Sequence, residues 1–283
     1  MTSSTLPRFV MLAVLSLAGL TVLGQVTESS HSSERPFVNS LGMKFVPAGT
    51  PGVLFSVWDT RVKDYQAFVT ATQGDWLRPF FKQGPTEPAV DVSLDDAMAF
   101  CQWLTEKEIK EGILKPNQTY RLPTDAEWSK AVGLDESSDG TPEAKSFKIQ
   151  GVYPWGTTYP PPIDAGNYNR KGDGNDTSKQ SDLFGTDGYS FTSPVGAFKP
   201  NRYGLFDMGG NVWQWCQDRF GGEADTIRLY RVLRGGSWFS VKPEYRLSSA
   251  RWYDVRQSRV YDEGFRCVLS SSGPTQGSAG ESK

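Results

Sequence analysis

Histidine is almost absent from this chain of 283 residues, and its absence excludes much of the common chemistry of active sites. The single histidine, His31, lies in a polar stretch. The rest of the sequence therefore cannot supply a serine or cysteine nucleophile that histidine activates, or a metal centre with histidine ligands. Proton transfer at neutral pH would have to use another kind of side chain.

An excess of charge of one sign is also lacking. The chain has 30 basic and 32 acidic residues, a net charge of −2, and the two signs are mixed along the sequence. A protein that binds nucleic acid needs a basic face or stripe, so we predict no nucleic-acid partner. Hydrophobic residues make up only 37% of the chain, but aromatic residues make up 13%. Because each buried ring removes about 150–250 Å² from water, we predict a core built mainly of aromatic rings.

Long apolar runs are missing except for one at the start. Arg8 precedes an apolar run over residues 9–23, and small residues follow it. This pattern predicts a secretory signal peptide, Met1–Gly24. The alternative is a membrane anchor, but about fifteen apolar residues are short for a membrane span. We therefore expect an exported protein, periplasmic or secreted, with no transmembrane segment after signal removal.

The remaining sequence predicts one folded domain between two disordered segments. Residues 25–36 and 270–283 are rich in Ser, Gly and Glu, a composition that cannot bury enough apolar surface to fold. The domain therefore covers residues 37–269. No internal repeat of fixed period is present.

Local patterns in this domain predict short helices and strands separated by long loops. Strands are predicted over residues 37–47, 53–58 and 229–233, each bounded by turn residues. Three helices are predicted from their N-terminal capping residues, one opening at Asp59, one at Ser93 and one at Thr124. Residues 76–88, 140–162 and most of the chain after Asn167 are predicted to be loop. The fold class is therefore α+β.

Three segments combine glycines with large aromatic residues, and we expect them to pack together as one rigid centre. They are Gly204–Trp215, Arg234–Ser240 and Glu263–Cys267. In the second, Gly235 and Gly236 follow an apolar strand, which predicts a tight bend where the backbone passes close to another group.

Several motifs, taken in order, resemble the sulfatase-modifying factor family, which is typified by the formylglycine-generating enzyme. The resemblance covers residues 37–269. It implies a fold similar to that of a C-type lectin, rich in loops, with short helices and small antiparallel sheets. The motifs are Asn39-Ser40-Leu41-Gly42-Met43, Phe100-Cys101-Gln102-Trp103-Leu104, Arg121-Leu122-Pro123-Thr124-Asp125-Ala126-Glu127-Trp128, Tyr153-Pro154-Trp155-Gly156, Gly204 to Trp215, Arg234-Gly235-Gly236-Ser237-Trp238 and Gly264-Phe265-Arg266-Cys267.

The resemblance implies the copper-dependent oxidation of a sulfatase cysteine to formylglycine, but this chain lacks the cysteine pair that the reaction uses. Ser240 stands at the first cysteine position, and the second aligns near Tyr245. Cu(I) is a soft ion that prefers thiolates, and a serine hydroxyl cannot replace one. Copper binding is therefore not expected. The resemblance also places Trp213, Ser237 and Arg251 around the family's oxygen pocket, and we expect Ser237 and Ser240 to bond the backbone instead of reacting.

The resemblance gives the cysteines a structural role. It implies a disulfide between Cys101 and Cys267, which would close a loop of roughly 165 residues and stabilise the fold by about 5 kcal/mol. Cys216 is then either a buried free thiol or a reactive one.

Calcium is the cofactor that the resemblance implies here. Ca²⁺ takes six to eight oxygen ligands from carboxylates, amides and carbonyls. The alternative is that Asp187 and Asp207 are turn residues. The first implied site comprises Asn167, Tyr168, Asp187 and Tyr189, and the second comprises Asp207, Gly210, Val212 and Gln214.

Three functions remain open from the sequence. The first is a non-catalytic domain that binds a peptide, protein or glycan in the former substrate cleft, where Trp155, Trp238, Trp252 and Tyr253 could stack on a ligand. The second is an active formylglycine-generating oxidoreductase with an unidentified site. The third is an assembly partner of an exported sulfatase.

Overall fold

The computed structural model describes Met1 and residues 36–168, 187–222 and 229–271. The chain divides into one unit over Met1–Arg35 and a second over Pro36–Lys283. The predicted signal peptide, nearly all of the linker and the tail beyond residue 271 lie outside the described residues. Within the described part, no helix is both long and apolar enough to span a membrane.

The first sheet has five antiparallel strands in the order β1-β2-β3-β9-β4. The predicted strand over 37–47 is a hairpin, because Gly42 turns the chain at φ 72°. Strand β9 lies between β3 and β4, and Ser270 pairs with both Val53 and Thr119. The folded part thus extends through Ser271, two residues into the predicted tail. The strands are β1 Phe37–Val38, β2 Lys44–Pro47, β3 Val53–Ser56, β4 Gln118–Arg121 and β9 Val268–Ser271.

The second sheet has four strands in the order β7-β6-β5-β8, namely β5 Trp213–Arg219, β6 Tyr230–Arg234, β7 Arg251–Val255 and β8 Glu263–Gly264. Only β6 was predicted. Small antiparallel sheets were predicted, and the strands pair in this way except β5 and β8, which pair in parallel. This arrangement is possible because the long connection through β6 and β7 returns the chain to the same end of β5.

The described residues form four α-helices, which are α1 Val62–Thr72, α2 Leu94–Lys110, α3 Asp125–Val132 and the short α4 Pro142–Lys145. The capping boxes of Ser93 with Asp96 and of Thr124 with Glu127 form as predicted. Asp59 does not cap α1. Arg61 is the N-cap residue of this helix, and its backbone N–H donates to the Asp64 carboxylate at 3.1 Å.

Aromatic rings supply many of the largest side chains of the core, but aliphatic residues outnumber them, so the core is less aromatic than the composition predicted. Helix α2 buries Ala97, Phe100, Cys101 and Leu104. The rings of Tyr65 and Phe100 stack at 5.9 Å between centroids. Each such pair contributes about 0.5–1.5 kcal/mol beyond its buried area. The largest fully buried aromatic side chains are Trp128, Trp215, Phe45, Phe55, Phe100 and Phe265.

Buried Arg266 joins the first and third glycine- and aromatic-rich segments, and a backbone hydrogen bond joins the second to the first. Its Nε donates to Gln214 Oε1 at 2.7 Å, and its Nη2 donates to the carbonyls of Phe206 and Asp207. Asn211 O accepts from the backbone N–H of Trp238 at 2.9 Å. The predicted rigid centre is therefore present, and a buried guanidinium with many acceptors holds it.

Candidate functional site

The loop after β6 presents the residues that replace the family's reactive pair. Gly236 has φ 74°, and a Cβ there would lie 2.9 Å from the Tyr245 carbonyl oxygen. Only glycine fits both conditions, because L-residues disfavour this φ and a contact below 3 Å is a clash. The predicted close approach is with Tyr245, and it fixes the direction in which Ser237 leaves the strand.

Ser237, Ser240 and Asp262 form a closed set of hydrogen bonds. Ser240 Oγ accepts from the backbone N–H of Ser237 at 2.9 Å, and Ser237 Oγ accepts from the N–H of Phe239 at 3.3 Å. Ser237 Oγ donates to Asp262 Oδ2 at 2.6 Å. Burial raises the pKa of the Asp262 carboxyl, against the effect of this hydrogen bond. Both serines are buried, so their hydroxyls act on the backbone and on one carboxyl group.

Trp213 and Arg251, the other two predicted pocket positions, lie in different surroundings. The backbone N–H of Trp213 donates to Asp262 O at 2.9 Å, which places this residue beside the serines. The Arg251 guanidinium is instead buried against α3, where Nη2 lies 2.9 Å from Asp125 Oδ2. Its other acceptors are Glu136, Ser129 and two backbone carbonyls. None of these partners belongs to the serine loop.

Asp125 is the acidic centre of this buried ion network. Arg234 also contacts its carboxylate, and Lys145 Nζ lies 3.7 Å away. Burial alone would raise the pKa of Asp125, but the charges of Arg234 and Arg251 outweigh it and hold the pKa below its ordinary value. The network therefore anchors β6 and β7 to α3 and does not face a substrate.

A cluster of six rings surrounds the serine loop, and we call it the aromatic surface. Phe81 stacks on Phe191 at 4.5 Å, and Phe80 contacts Tyr261 at 5.3 Å. Phe80 is 72% exposed and Phe239 is 43% exposed, which is unusual for large apolar rings. The six residues are Phe80, Phe81, Phe191, Trp238, Phe239 and Tyr261.

Sequence reasoning missed most of this surface. Of the aromatic residues predicted to stack on a ligand, Trp238 belongs to it but is only 3% exposed. Trp252 and Tyr253 stack on each other at 5.5 Å and are more than a third exposed. The available signal was the loop over residues 76–88, which places four large apolar residues within six positions of a segment without helical or strand periodicity.

The first predicted calcium site is assembled by Asp187. Its Oδ2 accepts from the backbone N–H of Tyr168 at 3.0 Å, and its Oδ1 accepts from that of Tyr189 at 3.1 Å. Asn167 is buried and its amide nitrogen donates to Phe191 O at 2.7 Å. These residues hold one carboxylate, one amide oxygen and two carbonyls, hard oxygens of the kind that calcium takes, but the contacts seen here are backbone N–H groups that donate to Asp187.

The second predicted calcium site does not fit a cation at Gln214. The side-chain oxygen of Gln214 accepts from Trp128 Nε1 at 2.8 Å and from Arg266 Nε at 2.7 Å. Its amide nitrogen donates to the Asp207 carbonyl at 2.6 Å. A calcium ion here would compete with a buried guanidinium for the same oxygens. Gln214 therefore links Trp128, Arg266 and Asp207.

Copper does not fit the serine loop either. The serine loop offers hydroxyl oxygens where a soft ion needs thiolates. Among the described residues, no three His, Cys, Asp or Glu side chains lie close enough to hold a metal ion.

The cysteines are all buried thiols in this structure. Cys101 Sγ and Cys267 Sγ face each other at 3.6 Å but are not bonded, so the predicted disulfide is absent here. The hydrogen bond with Cys267 and burial together raise the pKa of Cys101. Cys216 is fully buried on β5, and burial raises the pKa of its thiol as well.

Comparisons with known proteins agree with this geometry. The model of the sulfatase-modifying factor enzyme 1-like domain matches residues 24–271. The formylglycine-generating enzyme of Thermomonospora curvata is 31% identical over 247 residues, covering 79% of this chain and 69% of that protein. The formylglycine-generating enzyme of Mus musculus is 31% identical over 277 residues, covering 85% and 64%. The inactive C-alpha-formylglycine-generating enzyme 2 of Mus musculus is 32% identical over 195 residues, covering 67% and 51%. The chain thus spans 51–69% of the length of these relatives.

Solved structures show the same fold. PvdO from Pseudomonas aeruginosa superposes with a TM-score of 0.50 at 23% identity, covering 82% of each chain. CarF gives 0.52 at 20% identity, covering 78% of this chain and 87% of CarF. The fold is C-type-lectin-like, as predicted, with few short helices and curled sheets. The matched range and the identities together show that the chain belongs to the sulfatase-modifying factor family.

Proposed function

We propose that this chain is a non-catalytic member of its family that binds an extended peptide segment of a protein partner at the aromatic surface. The observation that carries the proposal is the serine loop. Ser240 stands where the active members have a cysteine, and its hydroxyl accepts a backbone hydrogen bond beside exposed rings.

The proposed loss of catalysis rests on the groups that the serine loop offers, which are hydroxyls and no thiol. Ser237 and Ser240 hold each other and Asp262, so neither hydroxyl is presented to a substrate thiol. One relative carries the word inactive in its name, which supports the view that a family member can keep the fold without the activity. The alternative, an active oxidoreductase, would require a second site for the metal.

The chemistry of the aromatic surface favours a peptide over a glycan. Phe80 and Phe239 are its most exposed rings, and phenylalanine has no polar group for sugar hydroxyls. Beside them, Arg78 and Lys82 line a surface hollow of about 550 Å³ together with Phe81. We therefore expect a ligand with an apolar side chain followed by an acidic one.

The test is to incubate the exported form of the chain with a cysteine-containing sulfatase peptide, copper and oxygen. We expect binding without the mass loss that accompanies formylglycine formation. Phe80→Ala should weaken binding of the peptide by about tenfold or more, because a desolvated aromatic contact is lost. Leu229→Ala, which removes an exposed leucine outside the surface, should leave binding unchanged.

Each other outcome has a distinct meaning. Conversion of the peptide by mass spectrometry would overturn the non-catalytic assignment. Binding that is insensitive to Phe80→Ala would place the ligand elsewhere. A sulfatase that co-purifies from the native host, with no effect of Phe80→Ala, would favour the assembly-partner function.

Export, calcium and a disulfide are further parts of the proposal. The apolar run before residue 24 supports export, and an oxidising compartment outside the cytoplasm would suit a bond between Cys101 and Cys267. Calcium is available in the same compartment, and the carboxylate of Asp187, which contacts the backbone of both Tyr168 and Tyr189, supports its binding there.

A further inference from the structure

Asp91 carries a buried carboxylate that the fold leaves without a partner. The residue is 7% exposed, and its carboxylate forms no hydrogen bond or ion pair with the other described residues. Neither of its oxygens is sealed from solvent, in contrast to the fully buried Oε2 of Glu263. Buried carboxylates are normally paired or hydrogen-bonded, because an unpaired charge in the interior is costly. Asp91 is therefore an unpaired acceptor that a group from outside can still reach.

This carboxylate lies beside the serine loop and the aromatic surface. The backbone N–H of Asp91 donates to Val260 O at 3.0 Å, two residues before Asp262. Asp262 is the acid that accepts a hydroxyl from the serine loop. Val90, which precedes Asp91, packs with Trp238 in one apolar cluster. Asp91 is therefore held next to the region that binds the peptide in the proposed function.

The charges that act on Asp91 are negative. Burial raises the pKa of Asp91, and the charge of Asp262 raises it further. The pKa of the Tyr261 phenol is raised as well, by burial first and then by Asp262 and Asp91. Among the described residues, no basic side chain forms an ion pair with either acid. A positive group that enters from outside would therefore be attracted by both acids.

The surroundings favour an organic cation over a metal ion. A metal would need further ligands, and among the described residues no three His, Cys, Asp or Glu side chains lie close enough to hold one. Asp262 Oδ2 is already the acceptor of the Ser237 hydroxyl. An ammonium or guanidinium group needs only one carboxylate, and nearby aromatic rings, here Tyr261 and Trp238, attract such cations further. Lysine and arginine side chains carry these groups.

We propose that Asp91 receives the charged end of one lysine or arginine side chain of the bound peptide. The proposal rests on the peptide function proposed above and adds a specificity to it. The ligand then presents three features, an apolar side chain at Phe80, an acidic one near Arg78 and Lys82, and a basic one at Asp91. Because complementary charges fix the register of an interface, this pair of opposite charges sets the direction in which the peptide lies.

The test uses the exported form of the chain and two charged probes, Nα-acetyl-L-lysine amide and Nα-acetyl-L-arginine amide. Their neutral match is Nα-acetyl-L-norleucine amide, which has an unbranched side chain without charge. We expect at least one charged probe to bind about tenfold or more tightly than the match in NMR titrations. Asp91→Asn should reduce this preference to less than about threefold, because the negative acceptor is lost. Asparagine tolerates the φ of 54° at this position, so the fold is kept.

A second variant keeps the test decisive if Asp91→Asn fails to fold. Asp91→Gly also suits this φ and should lose the preference to the same extent. The control Asp139→Asn neutralises an exposed acid in another loop and should keep the full preference. The proposal is overturned if neither charged probe binds more tightly than the norleucine probe, if both Asp91 variants keep the preference, or if they weaken all three probes alike.

Failure of the proposed function is recognised separately. Peptide binding at the aromatic surface is measured with Phe80→Ala, whereas the three small probes report on Asp91 alone. A preference for a charged probe that depends on Asp91, in a chain that binds no peptide, would keep the cation site and reject the peptide function. Peptide binding that depends on Phe80, without any preference for the charged probes, would keep the peptide function and reject the cation site.

Discussion

Single buried residues decide the chemistry available to this protein. Ser240 supplies a hard oxygen in the loop where the resemblance predicted a soft sulfur, and Gln214, predicted to bind calcium, instead accepts a hydrogen bond from Arg266. Both residues are buried and hydrogen-bonded, so each substitution is absorbed without an unsatisfied side chain. Glu263 is the opposite case, because its Oε2 is buried without a partner among the described residues.

Glu263 predicts a stability that falls as the pH rises. Burial, reinforced by Asp254 and Asp262, raises its pKa from 4.5 to about 9. Between these values the folded chain holds a proton that the unfolded chain has released, so stability declines from about pH 5 to pH 9. Glu263→Gln should remove this slope and gain on the order of 1–3 kcal/mol at pH 8, with little difference near pH 4.5. Urea denaturation at several pH values measures it.

The control is Glu244→Gln, which neutralises an exposed glutamate and should keep the wild-type slope. Burial raises the pKa of Asp59 to about 8, so Asp59 also makes stability fall with rising pH. It is present in the wild type and in both variants, and its contribution to the slope is the same in all three. Parallel pH profiles for wild type and Glu263→Gln would show that Glu263 is ionised in the folded protein.

At the scale of helices and strands, the sequence predicted those elements whose ends are set by residues close together in the chain. Helices α2 and α3 begin where Ser93 and Thr124 cap them, because a capping box acts within four residues. Strand β5 was missed, since four successive residues are buried on both faces and no alternation marks them. The Asp59 prediction failed because that side chain is buried against Arg266, with 3.1 Å between Asp59 Oδ1 and Arg266 Nη2, a long-range contact that no local pattern reveals.

The same limit applies to the candidate site. Ser237, Ser240 and Trp213 were found from motifs and lie together around Asp262. Arg251 shares the motif order but turns towards Asp125. The exposure of Phe80 and Phe239 depends on long-range packing, and sequence alone could not give it.

Calcium is predicted to stabilise the residues that contact Asp187. Removing calcium with EDTA should lower the melting temperature by about 5 °C or more, because an ion that binds only the folded state stabilises it by mass action. Asp187→Ala should melt at the lower temperature with or without EDTA. Asp139→Ala, in an exposed turn, should keep the response. Differential scanning fluorimetry measures it, and a melting temperature indifferent to EDTA would count against the site.

At the scale of the whole molecule, one pair of thiols connects distant parts of the chain. Cys101 lies on α2 and Cys267 directly precedes β9, and 166 positions separate them. Closing so long a loop would reduce the entropy of the unfolded chain and stabilise the fold by about 5 kcal/mol. Both thiols are buried and the pKa of Cys101 is raised, so little thiolate is present and spontaneous oxidation should be slow.

We predict that a protein produced in an oxidising compartment contains the Cys101–Cys267 bond and a free Cys216. Peptide mapping under non-reducing conditions identifies the pair. Cys216→Ser should not alter the map, whereas Cys101→Ser should abolish the cross-link and the added stability. Two unmodified thiols at Cys101 and Cys267, or a bond that includes Cys216, would contradict the prediction.

The position of β9 has a consequence for biosynthesis. This strand comes from the last described segment of the chain, yet it lies in the interior of the first sheet, with β3 on one side and β4 on the other. A nascent polypeptide on the ribosome cannot complete that sheet until residues 268–271 have been synthesised. Until then β4 has no neighbour through which to join β3, and the first sheet stays in two parts.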